Sequence, residues 1–481
     1  MSVTTLSAER ILTHPGHREA LRSASVEIAG GKVSAVKTSA SVSDRMLMMP
    51  ALTDAHDHGR GQRSFAVGAA DEALELWLPM LALEPLVDPY LRAAVAFGRL
   101  ARSGVAVINH CHNPQRPRNM ADEAAAVARA AKDVGVRVAF GVPMRDRNYF
   151  AYGDPALLET ALGKEDFTQL SAQVYQPSID EQFGTFAAIA AHEHPLFEVQ
   201  FSPVAPQWCS DKLLARIAEE SAHTGRRIHM HLLETLQQRQ WADANYPQGI
   251  VTHLDSLGLL SGRLTVAHGV WLKPQECEIL AERGVTVSVN TSSNLRLKSG
   301  MAPVDIFAAK GLSWAMGLDG MSLDDDEDAL RELRTLWYNH KSGNIGGGVT
   351  RTDCCKAAFE AGRRTVTKVT GGAIEPGMAA DLLILDYGAM SHDVYEGAAD
   401  EVDVVLARAR KEYVRHLMID GRMVVRDGRL ATVDLDALEG ELLEQGRRGL
   451  AEAQARKPLR LRYRQALADF YRCGCHASVS N

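Results

Sequence analysis

The middle of the chain repeats one pattern: a short β-branched or apolar run, a polar turn, then a stretch with apolar residues three and four apart. Eight such runs occur, at residues 46–52, 104–111, 136–142, 197–204, 227–233, 264–270, 285–290 and 312–319. Most lead into a helix-patterned segment, for example residues 211–223 and 274–283. Eight strands alternating with helices predict an α/β fold of the (β/α)8 TIM-barrel type, whose reactive groups gather at the carboxyl ends of the strands. The flanks read differently. Residues 26–28 and 33–36 enclose Ala29-Gly30-Gly31-Lys32, and residues 417–419 and 423–425 enclose Asp420-Gly421, two hairpin signatures. Neither end has enough apolar surface to stand alone. Residues 1–51 and 371–431 are therefore expected to pair into a small β-sandwich, with the barrel over 52–370 and a charged helical tail over 432–481.

Composition narrows the partners. The 53 basic and 60 acidic residues give a net charge of −7 with the signs interleaved, so no basic block tracks a nucleic-acid backbone. No apolar run approaches the roughly 18 residues of a membrane span, and the start lacks the basic and apolar regions of a signal peptide. Seven scattered cysteines do not make a disulfide framework, so the reading is a reduced, cytoplasmic enzyme.

Chemistry sits at the predicted strand ends. His56 and His58 flank Asp57 at the end of the first run, so in extended backbone both imidazoles point the same way and can share an ion. The fifth run ends in His229-Met230-His231 with Glu234 three residues on, the sixth in His268, and the eighth in Asp319. Any one of these has a plain structural explanation as a core His or a turn Asp, but their recurrence at matching strand ends points to a hydrolytic metal site. One divalent ion, Zn²⁺ or Fe²⁺, is expected, with a bound hydroxide attacking an sp² carbon. Asp319 is placed to orient the water and take its proton, and Glu234 to carry a proton to a leaving nitrogen. His268 is either a further ligand or polarises the water.

The segments MPALTDAHDH, HMHLLET, VAHGV, GLDG and PGMAADLLILD, in that order over nearly the whole chain, resemble the amidohydrolase superfamily, in particular its cytosine deaminase-like and chlorohydrolase-like aminohydrolase branch. The resemblance implies that His56, His58, His231 and Asp319 hold one metal, that Glu234 shuttles protons, and that His268 contacts the water. Trp77 and Asn294 lie in further segments that look like the family's and are expected at the substrate. The resemblance also implies a homo-oligomer and a small planar nitrogen heterocycle as substrate, while charge pattern and apolar run length leave neither nucleic acid nor membrane as an expected partner.

The sequence departs from the branch in places. Where dinuclear relatives carry a carboxylated Lys after the fourth strand, this chain has Ser202-Pro203-Val204-Ala205-Pro206-Gln207-Trp208, which favours one metal. Val204 stands where many deaminases carry a His, and Gln207 and Trp208 offer an amide and a flat indole to a planar ring. Arg60 reads as a surface ion pair or as a contact to an anionic substrate group, and His110, in Asn109-His110-Cys111-His112, as a substrate contact. Asp324 to Asp328 reads as the acidic first turn of a helix, and Cys473-Gly474-Cys475-His476 as a tail segment without metal. The favoured activity is heterocycle deamination. The alternatives are hydrolysis of an amide, urea or carbamate-like bond, and a catalytically silent scaffold.

Overall fold

The structure, a computed structural model, describes residues 3–38, 42–320, 323, 325–340, 345, 347–395 and 397–477. Strands β1 (Thr4–Ile11), β2 (Leu21–Ala29) and β3 (Lys32–Thr38) form an antiparallel meander, and β4 (Met46–Pro50) lies parallel to β1. Eight strands follow: β5 (Leu52–Asp57), β6 (Val105–Cys111), β7 (Arg137–Met144), β8 (Phe197–Pro203), β9 (Ile228–Leu232), β10 (Leu264–His268), β11 (Thr286–Val289) and β12 (Ser313–Met316). They pair in parallel in sequence order, with helices between them, as a (β/α)8 barrel. The chain then returns to the first sheet as β13 (Leu382–Asp386), β14 (Val414–Ile419), β15 (Arg422–Arg426) and β16 (Arg429–Leu430).

Because β13 pairs antiparallel with β4, both chain ends share one eight-stranded sheet, in the order β16-β15-β14-β13-β4-β1-β2-β3. The sheet curls until its two hairpin tips meet. A Cβ on Gly31 would fall 2.8 Å from Asp420 Oδ1. Asp420 and Gly421 take φ of 53° and 75°, the left-handed pair that a tight hairpin requires. Alternate residues of β4 face opposite ways: Met48 joins Val26, Leu382 and Met418 in a small core, while Leu47 and Met49 join the barrel's core.

The first barrel strand differs from the sequence reading. The apolar run at 46–52 supplies β4 of the end sheet, and the barrel opens with β5, which carries Asp54, His56 and Asp57 fully buried. Pro50 has no N–H to extend a ladder, and the chain changes sheets just after it. Ala51 N donates to Asp381 O at 3.0 Å, and Leu52 N to Gly104 O at 2.9 Å. The barrel closes between β5 and the end of β12. Asp319 N donates to His56 O at 2.8 Å, Leu318 N to Asp54 Oδ1 at 3.0 Å, and Gly320 N to Asp57 Oδ2 at 3.0 Å.

The tail forms two helices, Leu435–Ala455 and Lys457–Arg472, and the second packs Tyr463, Leu467 and Phe470 against Ala151, Leu158 and Leu170 beside the barrel mouth. Cys473 and Cys475 are joined as a disulfide, a departure from the expected set of reduced thiols, whereas the other five cysteines are buried outside any disulfide. In the acidic run, Asp328 caps the helix Ala329–Asn339 by accepting from Leu330 N and Arg331 N, both at 3.1 Å, and Asp324 lies outside the described residues. Among the described residues, no helix is long and apolar enough to cross a membrane.

Candidate active site

The barrel mouth collects the strand-end residues because two of them leave their strands in left-handed backbone. His268 has φ 73° before Gly269 at 58°, and Asp319 has φ 61° before Gly320 at 63°. Consecutive positive φ values turn each side chain inward, a strain found where function demands it. A Gly after each residue was the signal in the sequence.

His56, His58 and His231 bring their ligand atoms within 4.8 Å of one another, as do His56, His268 and Asp319. Asp319 Oδ1 lies 3.1 Å from both His56 Nε2 and His58 Nε2. The remaining nitrogens are anchored. His58 Nδ1 donates to Cys111 O at 2.9 Å and His231 Nδ1 to Val204 O at 2.8 Å, which fixes their tautomers and leaves each Nε2 a free lone pair. Burial pulls His56 and His58 down to about 4 and His231 to about 3, so all three are neutral, as ligands must be. Burial alone would raise Asp319, but His56 and His58 outweigh it and hold the carboxyl well below its usual range. His56 Nε2 is buried without a hydrogen-bond partner, a nitrogen the fold leaves for something else.

Beside this cluster, His268 Nε2 lies 3.8 Å from Glu234 Oε2 and 3.9 Å from Asp319 Oδ2, and Ser293 Oγ donates to that Asp319 oxygen at 2.5 Å. Asn294 Oδ1 sits 2.9 Å from His268 Nδ1. Burial pushes the Glu234 carboxyl up to about 7, against the pull of His268. A cavity of about 490 Å³ opens over His58, His231, Glu234, His268 and Asp319.

Of the expected substrate contacts, Trp77 and Trp208 line this cavity, whereas Gln207, Asn294 and His110 are not among its lining residues. Asn294 lies behind His268, Gln207 O accepts from Asn148 Nδ2 at 2.6 Å, and His110 Nε2 sits 3.3 Å from His112 Nδ1. Arg60 is buried at the cavity rather than on the surface, over the Trp77 ring at 5.2 Å with Asn113 and Glu84 beside it. His229, named in the fifth run but given no role there, stacks on His56 with its Nε2 2.8 Å from His56 Nδ1 and its Nδ1 3.0 Å from Asn109 Nδ2. Sequence reasoning passed over Glu75, which lines the cavity and accepts from Thr235 Oγ1 at 2.5 Å and from Tyr152.

Were His56 to hold a metal, His229 would orient that ligand, and His229→Ala is then expected to weaken metal affinity by about 10–100-fold. A chelator competition reads this, and wild-type affinity in the variant would remove His229 from the site.

A barrel with this donor set at its carboxyl face defines a metal-dependent hydrolase class. The sequence profile of the amidohydrolase family matches residues 47–424, and the chain belongs to that family. Among curated relatives, the 5'-deoxyadenosine deaminase of Methanopyrus kandleri is 28% identical over 416 residues, 83% of this chain and 85% of that one. The 5-methylthioadenosine/S-adenosylhomocysteine deaminase of Thermococcus sibiricus is 29% identical over 58% of this chain and 63% of its own. Among solved structures, a zinc-bound adenosine deaminase from Xanthomonas campestris shares the fold with a TM-score of 0.77 at 23% identity, over 94% of this chain and 98% of that one. Zinc-bound atrazine chlorohydrolase from Arthrobacter aurescens does so with a TM-score of 0.76 at 17% identity, over 91% and 98%.

Proposed function

We propose that this protein is a metal-dependent aminohydrolase that removes an amino or substituted amino group from an sp² carbon of a planar nitrogen heterocycle. The observation carrying this reading is the clustering of His56, His58 and His231, with Asp319 Oδ1 3.1 Å from His56 and His58, beside Glu234 and His268. Three neutral imidazoles and a carboxylate suit one Zn²⁺ or Fe²⁺, and zinc is the choice favoured by the zinc-bound structural neighbours. When bound, the ion supplies Lewis acidity and lowers the pKa of water toward about 7.

The chain's own residues do the rest. Asp319, its Oδ2 fixed by Ser293, orients the attacking water and receives its proton. Glu234, a carboxyl held near neutrality, delivers a proton to the departing nitrogen. His268, braced by Asn294, stabilises charge on the new C–O bond. Trp77 and Trp208 offer flat faces that sandwich the ring and exclude water. Deaminase relatives support the reaction type. We place the protein in the cytoplasm on its cysteine usage and as a homo-oligomer on the family resemblance.

The test combines elemental analysis with ammonia release across aminated pyrimidines, purines, pterins and triazines. About one ion per chain and a hydroxylated ring product are expected. With urea and carbamate substrates added to the panel, cleavage into an acyl or carbamoyl fragment without a hydroxylated ring product would replace the deaminase reading with amide, urea or carbamate hydrolysis.

A further inference from the structure

Among the described residues, two guanidiniums in the cavity wall make no ion pair with a carboxylate. Arg145, just beyond β7, and Arg460, on the tail helix Lys457–Arg472, line the same cavity as Glu234, His268 and Asp319. The ionisable groups that bear on Arg145 are Tyr149, Tyr463 and Cys209, and those on Arg460 are Tyr463 and Arg456, with no carboxylate in either set. Burial pulls both below the usual arginine value.

Arg145 is also held in place. Its N donates to Gln182 Oε1 at 3.0 Å, and its carbonyl accepts from Gln182 Nε2 at 3.1 Å and from Tyr149 OH at 3.2 Å. The guanidinium rests over the Tyr149 ring at 4.7 Å. The adjacent Asp146 does not answer its charge, because it accepts from Ser210 N and Oγ at 2.7 and 2.5 Å. Arg460 Nη2 donates to Gln173 Oε1 at 2.6 Å, and its Nε is buried without a partner.

Arginine does not shed its proton, and a charge withdrawn from water without a counter-charge is expensive. The carboxylates at the cavity are engaged elsewhere: Glu75 with Thr235 and Tyr152, Asp319 with His56 and His58, Glu234 beside His268. Arg60, by contrast, has Glu84 at 3.8 Å. Both arginines are half-buried and face the cavity, so a negative charge on the ligand would complete the ion pair there.

We propose that the substrate is a heterocyclic amine bearing an anionic arm, a carboxylate or a phosphate, which Arg145 receives and to which Arg460 of the tail contributes a second positive charge. This rests on the aminohydrolase reading for the ring, but the charge requirement is measurable apart from turnover. Calorimetry on the metal-loaded Glu234→Gln protein compares two matched pairs, pterin-6-carboxylate against 6-hydroxymethylpterin and adenosine 5′-monophosphate against adenosine. In at least one pair the charged member is expected to bind about 30-fold more tightly or better, and the pair that does so separates carboxylate from phosphate. Arg145→Met should collapse that ratio, Arg145→Lys should keep part of it, and Arg460→Met should lower it less. Melting temperature and metal content report whether each variant is folded, and Arg460→Met stands as the independent variant if Arg145→Met is not.

Equal binding of charged and neutral members, no binding by either charged probe, or a ratio indifferent to both arginines overturns the inference. Ammonia release without charge selectivity sinks this inference and leaves the deaminase reading. Charge selectivity without ammonia release from any probe does the reverse.

Discussion

Glu234→Gln is expected to lower kcat by about 10²–10⁴-fold while leaving metal content at the wild-type level. The amide keeps the shape of the side chain but cannot carry a proton, and Glu234 is outside the groups whose ligand atoms converge. Burial sets the Glu234 carboxyl at about 7, so it is mostly protonated below that pH and mostly ionised above it. If the protonated form delivers the proton to the leaving nitrogen, kcat falls as pH rises through about 7, and the residual rate of the Gln variant lacks that limb. A variant that retains wild-type kcat, or that keeps the same limb, removes Glu234 from proton transfer.

His231→Ala is expected to act one step earlier. It deletes one of three imidazoles whose ligand atoms lie within 4.8 Å of one another, so bound metal should fall well below one per chain and kcat/KM by about a thousandfold or more. The melting temperature should fall as well, because an ion bound only by the folded chain stabilises it by mass action. Elemental analysis and thermal melts of wild type and variant decide this. Full metal occupancy in the variant would exclude His231 from the donor set.

The eight-strand rhythm was readable in the sequence because apolar runs fill the barrel wall and polar turns separate them. The same logic misplaced the first strand. It looks for burial in apolar residues, and the interior of β5 is filled by Thr53, Asp54, His56 and Asp57. The left-handed turns at His268 and Asp319 left a trace in the glycines that follow, so those residues could be picked out singly. His229 could not. It sits two residues before His231 on the same strand face, and only the barrel's curvature decides that one nitrogen faces the shared point while the other ring stacks behind His56. Arg145 and Arg460 carry no mark in the sequence, because what sets them apart is a shared cavity wall without an ion-pair partner among the described residues, a property of three dimensions alone. The tail gave no hint of chemistry for the same reason: Tyr463 and Tyr471 reach the cavity through packing against segments about 300 residues away in sequence.

The pairing of β4 with β13 also fixes an order of events on the ribosome. Met46–Pro50 is a short apolar strand whose second edge is answered only by Leu382–Asp386. At about 5–20 residues per second, the intervening stretch of roughly 330 residues takes some tens of seconds to synthesise. Throughout that interval the nascent chain presents an open, sticky edge of the sort that recruits unwanted strands, while the barrel assembles beside it. The helix Lys457–Arg472 that helps wall the cavity follows β13 in the chain, so the pocket is completed only after that edge has been paired.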